Sequence, residues 1–268
     1  YFMKKNFSSP LISIIMNCHN GEKYLKKSIK SIISQNYKNW ELIFWNNRSK
    51  DNSKKIFKLF KDKRLRYFES KKFQKLYEAR NSAIKKAKGE YICFLDTDDW
   101  WANSKLKNQI NLFLKDRNLK FIYTNFYLFD QKKYTTEIYY KKLLPEGNIT
   151  QKLLDRYCIG VLTVMLKKEI FKNDLFNSNY NIIGDFDLFL RLSKKYKIKC
   201  IQQPLAYYRL HNKNYSQLKL NEHIKEISVW LKKMKNEKNN NKYSFINVEI
   251  MQFKLKVKEF LKRIFNFY

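Results

Sequence analysis

The sequence predicts an α/β fold: a mostly parallel, Rossmann-like central sheet flanked by helices, with a helical C-terminal extension. Three observations carry that expectation. Over the first hundred residues, short apolar runs alternate with amphipathic segments of helical period, and each apolar run ends in a polar, turn-rich cluster. Only 5 Gly and 3 Pro interrupt 268 residues, of which 44% are hydrophobic and 17% aromatic. Such a chain has apolar surface enough for a sizeable core, and too much for a disordered one.

Residues 11–16 form a buried strand that gives way to the loop Asn17-Cys18-His19-Asn20-Gly21. Tyr24, Leu25, Ile29, Ile32 and Ile33 then recur at helical spacing. Residues 41–45 make a second strand, ending in Asn46-Asn47-Arg48-Ser49-Lys50-Asp51. Ile56, Leu59 and Phe60 mark the next helix, residues 65–68 a third strand, and residues 77–88 a helix stopped by Gly89. Residues 91–95 are a fourth strand, running into Asp96-Thr97-Asp98-Asp99. Beyond residue 100 the pattern is less regular. The expectation is a strand over 121–129 paired with 135–140, a helix over 149–157, and a strand over 161–166. A buried helix then opens near Gly184-Asp185, and a short strand over 198–201 turns at Gln203-Pro204. Residues 237–242 read as a linker. After them Ile250, Phe253, Val257, Phe260, Leu261, Ile264 and Phe265 share one face of a basic helix. The organisation expected is an α/β domain over 10–216 and a basic, amphipathic extension over 217–268.

Lys and Arg number 56 against 24 Asp and Glu, a net charge of +32. A polyanionic partner and AT-rich codon usage both produce such an excess. Residues 1–216 carry +25 and residues 217–268 carry +7, the same density. Specific phosphate recognition gathers charge into a patch, so no specific nucleic acid partner is expected. The excess favours anionic donors and anionic membranes in a general way. Cys18, Cys93, Cys158 and Cys200 are far apart with no C-x-x-C spacing, against a disulfide framework or a zinc site and in keeping with a reducing cytosol. No apolar run reaches the ~20 residues of a membrane span, and residues 1–10 hold no leader-like apolar stretch. The location expected is cytoplasmic, with a peripheral position at the inner face of the plasma membrane through the C-terminal helix.

In a parallel sheet, ligands sit at the carboxyl ends of the strands, and here those ends carry the three polar clusters. Asp96 and Asp98, two residues apart past a buried strand, can both reach one hard cation such as Mg2+ or Mn2+, which in turn can hold a diphosphate. The structural alternative is that Asp98-Asp99 caps a helix beginning at Trp100 or Asn103. Asp185 opens an apolar helix, either as an N-cap or as a general base within reach of a substrate hydroxyl. Arg209 and His211 are a cationic or metal-binding pair, although a single His is more often structural.

These segments together resemble a family 2 glycosyltransferase of the GT-A fold. The resemblance lies in residues 12–21 with the following helix, in 41–53, in Glu78-Ala79-Arg80-Asn81 through Tyr91-Ile92, and in Phe94-Leu95-Asp96-Thr97-Asp98-Asp99-Trp100-Trp101. It continues through Gly184-Asp185-Phe186-Asp187-Leu188 and Tyr207-Tyr208-Arg209-Leu210-His211, in the family's order, across about residues 10–216. It implies a nucleotide-sugar donor, UDP- or dTDP-linked, a glycan or lipid-linked acceptor, and inversion at the anomeric carbon. Asn17, Asn20, Asn46, Asn47, Arg80 and Asp96 would bind the nucleotide, Asp96 at the ribose. Asp98 and His211 would hold the metal, Asp185 would activate the acceptor, and Asp99 and Arg209 would lie on the acceptor or phosphate side. Three departures stand out. Asn46-Asn47 replaces an Asp-Asp pair, Asn17-Cys18-His19-Asn20 replaces a Pro-containing loop, and Gly184 stands where an acidic residue often precedes Asp185. Two other readings remain open at this point. A nucleotidyltransferase on a similar sheet lacks the Gly-rich phosphate loop it would need. A basic binding module for nucleic acid or anionic membrane, without catalysis, would account for Asn46-Asn47 and the charge but not for Asp96, Asp98 and Asp185.

Overall fold

The computed structural model describes residues 9–212 and 214–265, apart from the side chains of Ser216 and Gln217. The first half is β1 (Ile12–Cys18), α1 (Glu22–Ile33), β2 (Trp40–Asn46), α2 (Ser53–Lys58), β3 (Leu65–Glu69), α3 (Leu76–Ile84) and β4 (Tyr91–Phe94). Then come β5 (Trp100–Trp101), α4 (Lys105–Lys115), β6 (Phe121–Asp130), β7 (Thr135–Ile138), α5 (Thr150–Asp155), β8 (Met165–Lys167), α6 (Gly184–Lys195) and β9 (Ile198–Leu210). α7 (Tyr215–Leu218), α8 (Leu220–Asn236) and α9 (Ile246–Phe265) follow.

The strands form one sheet in the order β3-β2-β1-β4-β8-β6-β9-β5, with β7 beside β6. β1 pairs in parallel with β2 and β4, β2 with β3, and β6 with β9. Antiparallel pairing is confined to the short strands β5, β7 and β8, so the expected mostly parallel sheet is what the chain builds. Successive side chains point to opposite faces, and both faces are buried. Ile15, Ile43, Ile92 and Phe94 face α3, α5, α6 and α8. Ile14, Met16, Leu42 and Cys93 face α1, α2 and α4. At Gly89 a Cβ would lie 2.6 Å from the Leu11 carbonyl oxygen, so only glycine lets the chain leaving α3 pass this close beneath β1.

Two local expectations are corrected, and the capping alternative for Asp98-Asp99 is excluded. Residues 161–166 are not one strand: Val161–Thr163 is a 3-10 turn, closed by the Thr163 hydroxyl on the Gly160 carbonyl at 2.6 Å, and only β8 pairs. β9 does not stop at Gln203-Pro204. It runs thirteen residues, because its register with β6 shifts around Asn125 and Pro204 and the irregularity accommodates a residue with no N–H to donate. Asp98-Asp99 caps no helix: Trp100 and Trp101 pair with Tyr207 and Ala206, and α4 begins only at Lys105.

Residues 237–242, the expected turn-rich linker, form a tight turn between α8 and α9. Asn240 is buried there and donates to the Met234 carbonyl at 2.9 Å. α8 lies against the main core: Ile227, Trp230, Leu231 and Met234 pack with Phe186 and Phe189 of α6. Truncating a buried Trp such as Trp230 costs about 3–5 kcal/mol, so this helix is a structural part of the sheet's cover.

Candidate active site

The end of β4 delivers Asp96 to a cation supplied by α3. Arg80, 3% exposed, places Nη2 2.6 Å and 2.8 Å from the two oxygens of Asp96. Burial works against the Arg80 charge, but Asp96, Tyr77 and Asp185 outweigh it and hold the guanidinium above its ordinary range. Surface ion pairs contribute about 0–1 kcal/mol, whereas breaking a buried pair costs about 3–5 kcal/mol. With Asp96 one-third exposed, this pair belongs near the lower end of the second range.

Two residues on, the loop is gripped by the end of β9. The Arg209 amide donates to Asp99 Oδ1 at 2.9 Å, and its Nε donates to the Asp98 carbonyl at 2.8 Å. His211 Nε2 lies 3.0 Å from Asp98 Oδ2. Burial, with Asp98 and Asp96 beside it, pushes the Asp99 carboxyl well above the usual carboxylate range. The Arg209 guanidinium sits between Tyr24 at 4.5 Å and Trp100 at 4.7 Å, and Lys27 Nζ stands 3.3 Å from the centre of the Trp100 ring. From beneath, the Ser28 hydroxyl of α1 lies 2.7 Å from the Thr97 carbonyl and 2.5 Å from that of Asp99. The loop is thus fixed by α1, α3 and β9 together.

Asp185 enters at the first turn of α6. Tyr77 Oη of α3 lies 2.9 Å from its Oδ1. Burial raises the Asp185 carboxyl, opposed by the Arg80 charge and by the Tyr77 hydrogen bond. Arg80 therefore acts on both Asp96 and Asp185, which are 89 positions apart in the chain. The turn before α6 is held by a residue of α8: Glu226 accepts from the amides of Asn181, Ile182 and Ile183 at 2.7, 3.0 and 3.1 Å. Trp230 Nε1 adds a bond to Asp187 Oδ1 at 3.2 Å.

The asparagines line the loops after β1 and β2. Asn46 donates to the Tyr67 hydroxyl at 2.8 Å and accepts from the Ser49 amide at 3.1 Å. Asn47 is engaged twice with the Gln74 backbone, at 2.8 and 3.0 Å. Asn20, in the left-handed region at φ 55°, accepts from the Lys50 amide at 2.8 Å and ties the two loops together. Among the described residues the Asn17 amide and the Tyr157 hydroxyl are buried with no hydrogen-bond partner, and a buried polar group left unpaired costs about 1–3 kcal/mol. Both have hydrogen-bonding capacity to offer a ligand. Sequence reasoning missed Tyr77, Tyr157 and Glu226. Only Glu226 had a signal, an acidic residue on the apolar face of a helix.

Asp98 and His211 supply one carboxylate and one imidazole, and no third His, Cys, Asp or Glu joins them among the described residues. That donor set fits a divalent ion that takes its other ligands from water and a bound diphosphate, the usual arrangement for Mg2+ at phosphate-transfer sites.

The sheet, with carboxylates and cations at its strand ends, has the GT-A architecture of the solved structures that it matches. The chain belongs to glycosyltransferase family 2: residues 13–173 match the family described as "Glycosyl transferase family 2". It is 33% identical over 214 residues to the Escherichia coli "UDP-Glc:alpha-D-GlcNAc-diphosphoundecaprenol beta-1,3-glucosyltransferase WfgD", covering 79% of this chain and 82% of that one. Its fold matches S. aureus TarS 1-349 in complex with UDP-GlcNAc, with TM-score 0.68, 15% identity, and coverage of 91% of this chain and 71% of that 1-349 chain. It also matches the mannosyltransferase PcManGT from Pyrobaculum calidifontis in complex with GDP-Man and Mn2+, with TM-score 0.62, 14% identity, and coverage of 87% and 66%. Family membership decides for a glycosyltransferase over the nucleotidyltransferase and binding-module readings.

Replacing Glu226 with Ala should leave three backbone amides unpaired and lower unfolding free energy by about 3 kcal/mol in urea titration. Sugar transfer should fall with it, since the turn carrying Asp185 loses its anchor. An unchanged midpoint would show that water satisfies those amides.

Proposed function

We propose that this enzyme is a metal-dependent, inverting glycosyltransferase that moves a sugar from a nucleoside-diphosphate sugar, UDP-linked in preference to dTDP-linked, to a hydroxyl of a glycan or lipid-linked acceptor. The observation that carries the reading is the convergence of Asp96 and Asp185 on one buried cation, Arg80, with Asp98 two residues beyond Asp96 and beside His211. The glucosyltransferase whose named acceptor is a GlcNAc-diphospholipid supports the acceptor class, and the UDP-GlcNAc complex of TarS supports the donor class.

In this reading Asp185 accepts the proton of the acceptor hydroxyl while that oxygen forms a bond to the anomeric carbon. The bond from that carbon to the diphosphate oxygen breaks on the opposite side, and the nucleoside diphosphate leaves with the electron pair. Asp98 and His211 hold the Mg2+ or Mn2+ ion, which when bound neutralises charge on the leaving diphosphate. Asp96, fixed by Arg80, meets the ribose. The unpartnered amide of Asn17 faces nucleotide, as do Asn20 and the Asn46-Asn47 pair that shapes the loop. Asp99 and Arg209 lie on the acceptor and phosphate side, where the unpartnered hydroxyl of Tyr157 adds a hydrogen-bond donor.

A membrane-bound acceptor suits the outer face of α9. Ile246, Ile250, Phe253, Val257, Phe260 and Ile264 form a stripe of exposed apolar residues at alternating spacings of four and three, from 40% to 66% exposed. Lys254 and Lys256 border it, one on each side. This is the pattern of a helix lying in an anionic membrane surface. No helix of the described residues is long and apolar enough to cross a membrane. The location proposed is cytoplasmic and peripheral.

The direct test is transfer from UDP-glucose to a short-chain GlcNAc-diphospholipid with Mn2+ or Mg2+, alongside a panel of UDP-, dTDP-, GDP- and CMP-sugars. Turnover should stop with EDTA, and Asp185→Asn should lower kcat on the order of 10³-fold with the melting temperature intact. Activity should also fall as pH drops through the raised carboxyl of Asp185, an acid limb above the ordinary ~4. Wild-type rates from Asp185→Asn, or silence across the panel, would contradict the assignment.

Vesicles of phosphatidylglycerol should sediment the wild-type chain and release it in high salt. A variant carrying Phe253→Ser, Phe260→Ser and Ile264→Ser should bind at least about tenfold more weakly, since each buried side chain of this size contributes about 1.5–3 kcal/mol. Equal binding by that variant would remove α9 from the membrane contact.

A further inference from the structure

We infer that Tyr77 is the positioning residue of Asp185: its phenol holds Oδ1 and leaves the second carboxylate oxygen for the acceptor hydroxyl, and position 184 is glycine because this ring occupies the space a side chain there would need. The inference rests on the reading of Asp185 as the acceptor's base. It goes further by naming the group that supports that base in both of its protonation states.

The packing leaves little freedom. Tyr77 is 2% exposed, its ring stacked on Phe176 at 5.1 Å and 26°. A Cβ built on Gly184 would come within 2.4, 2.5 and 2.6 Å of three carbons of the Tyr77 ring. Real carbon contacts are more than an ångström longer. The residue before Asp185 is where an acidic side chain often stands in chains of this pattern. Here a glycine and a tyrosine ring fill that volume together, and the ring brings a hydroxyl to the carboxylate.

The phenol has one proton and two acceptors, Asp185 Oδ1 at 2.9 Å and the Ile182 carbonyl at 3.0 Å. While Asp185 is ionised, the proton is donated to it. Once Asp185 has taken the acceptor's proton on its second oxygen, Oδ1 is still an acceptor, and the phenol keeps its weaker bond there or turns its proton to the Ile182 carbonyl. Both states are then hydrogen-bonded with no backbone movement. The Ile182 peptide is in place for this, because its amide is held by Glu226 at 3.0 Å. Burial, with Asp185 beside it, pushes the Tyr77 phenol well above its ordinary range, so it stays a neutral donor through the working pH. The groups facing Asp185 are Tyr77 and Arg80 from α3, Tyr157 beyond α5, and Tyr208 of β9. Of these, Arg80 is the cation, and Tyr77 is the side chain within hydrogen-bond distance.

The substitution that tests this is Tyr77→Phe, which keeps the ring against Gly184 and removes only the hydroxyl. Carboxyl 13C resonances of Asp-labelled protein, with Asp185→Asn used to assign the signal, follow the titration of Asp185 without any substrate. The expected result is a rise of about one pH unit in the midpoint, a tenfold gain in proton affinity, with the acid limb of transfer from UDP-glucose to the GlcNAc-diphospholipid moving the same way. The melting temperature and the KM for UDP-glucose should stay near the wild-type values. A midpoint that does not move overturns the inference, whether or not the rate falls, because packing alone would lower activity without changing the titration. The two assignments separate cleanly. If Asp185→Asn transfers at the wild-type rate, the base assignment fails. If Asp185→Asn is inactive and the Tyr77→Phe midpoint is unchanged, only the role of Tyr77 fails.

Discussion

A guanidinium with 3% of its surface exposed loses most of its hydration, and Arg80 can be kept there only because carboxylates approach it from two directions. Asp96 meets it at 2.6 and 2.8 Å from the end of β4, and Asp185 acts on it from the start of α6. The dependence runs both ways. Asp96, Asp98, Asp99 and Asp185 crowd one end of the sheet, and Asp99, buried there, has its carboxyl raised first by burial and then by the charges of Asp98 and Asp96. Arg80 is the cation between Asp96 and Asp185, bonded to Asp96 and lowering the proton affinity that burial gives Asp185. α3, which carries both Arg80 and Tyr77, is therefore the element that joins the end of β4 at Asp96 to the start of α6 at Asp185.

The second half of the site is braced from a part of the chain that contributes no strand. Glu226 and Trp230 lie one helical turn apart on α8. The first gathers three amides ahead of α6, and the second bonds Asp187. A buried carboxylate bonded to three backbone amides is a strong anchor, since charge-assisted bonds contribute roughly twice as much as neutral ones. α8 thus belongs with the catalytic unit in mechanical terms, and the position of Asp185 depends on a helix more than thirty residues downstream.

The parallel half of the fold was legible because β1, β2 and β4 are apolar runs buried on both faces, a pattern few other structures share. The gathering of Asp96, Asp98 and Asp185 at one end of the sheet was legible because they stand at a strand end or a helix start, whereas Arg80, in the middle of α3, was marked only by its neighbours Glu78-Ala79 and Asn81. β9 was misjudged at Pro204, where a proline normally ends a strand, because the bulge that tolerates it depends on Asn125 of β6. The strand expected over 161–166 failed for a related reason: its apolar side chains suit a buried turn as well as a strand, and the Thr163 hydroxyl selects the turn. Tyr77 looked like an ordinary core aromatic. Its hydroxyl acquires meaning only when α6 is brought beside it, from a hundred residues away.

α9 shows how one helix can satisfy two solvents. Val248 is buried and Met251 half-buried against the core, and the Gln252 amide reaches Ser228 of α8 at 2.6 Å, so the inner face is fastened. The outer stripe repeats every seven residues, a period that also suits a coiled coil. The flanking charges argue against that use. Lys254 and Lys256 border the stripe on both sides, and a second copy laid along it would bring lysines towards lysines. An anionic surface turns the same lysines into attraction, at about 1 kcal/mol each near the interface. The net charge of +32, spread evenly along the chain, adds a long-range pull but no orientation. Orientation has to come from a feature with a direction, and the one that α9 offers is a single apolar line on the side of the helix turned away from α8.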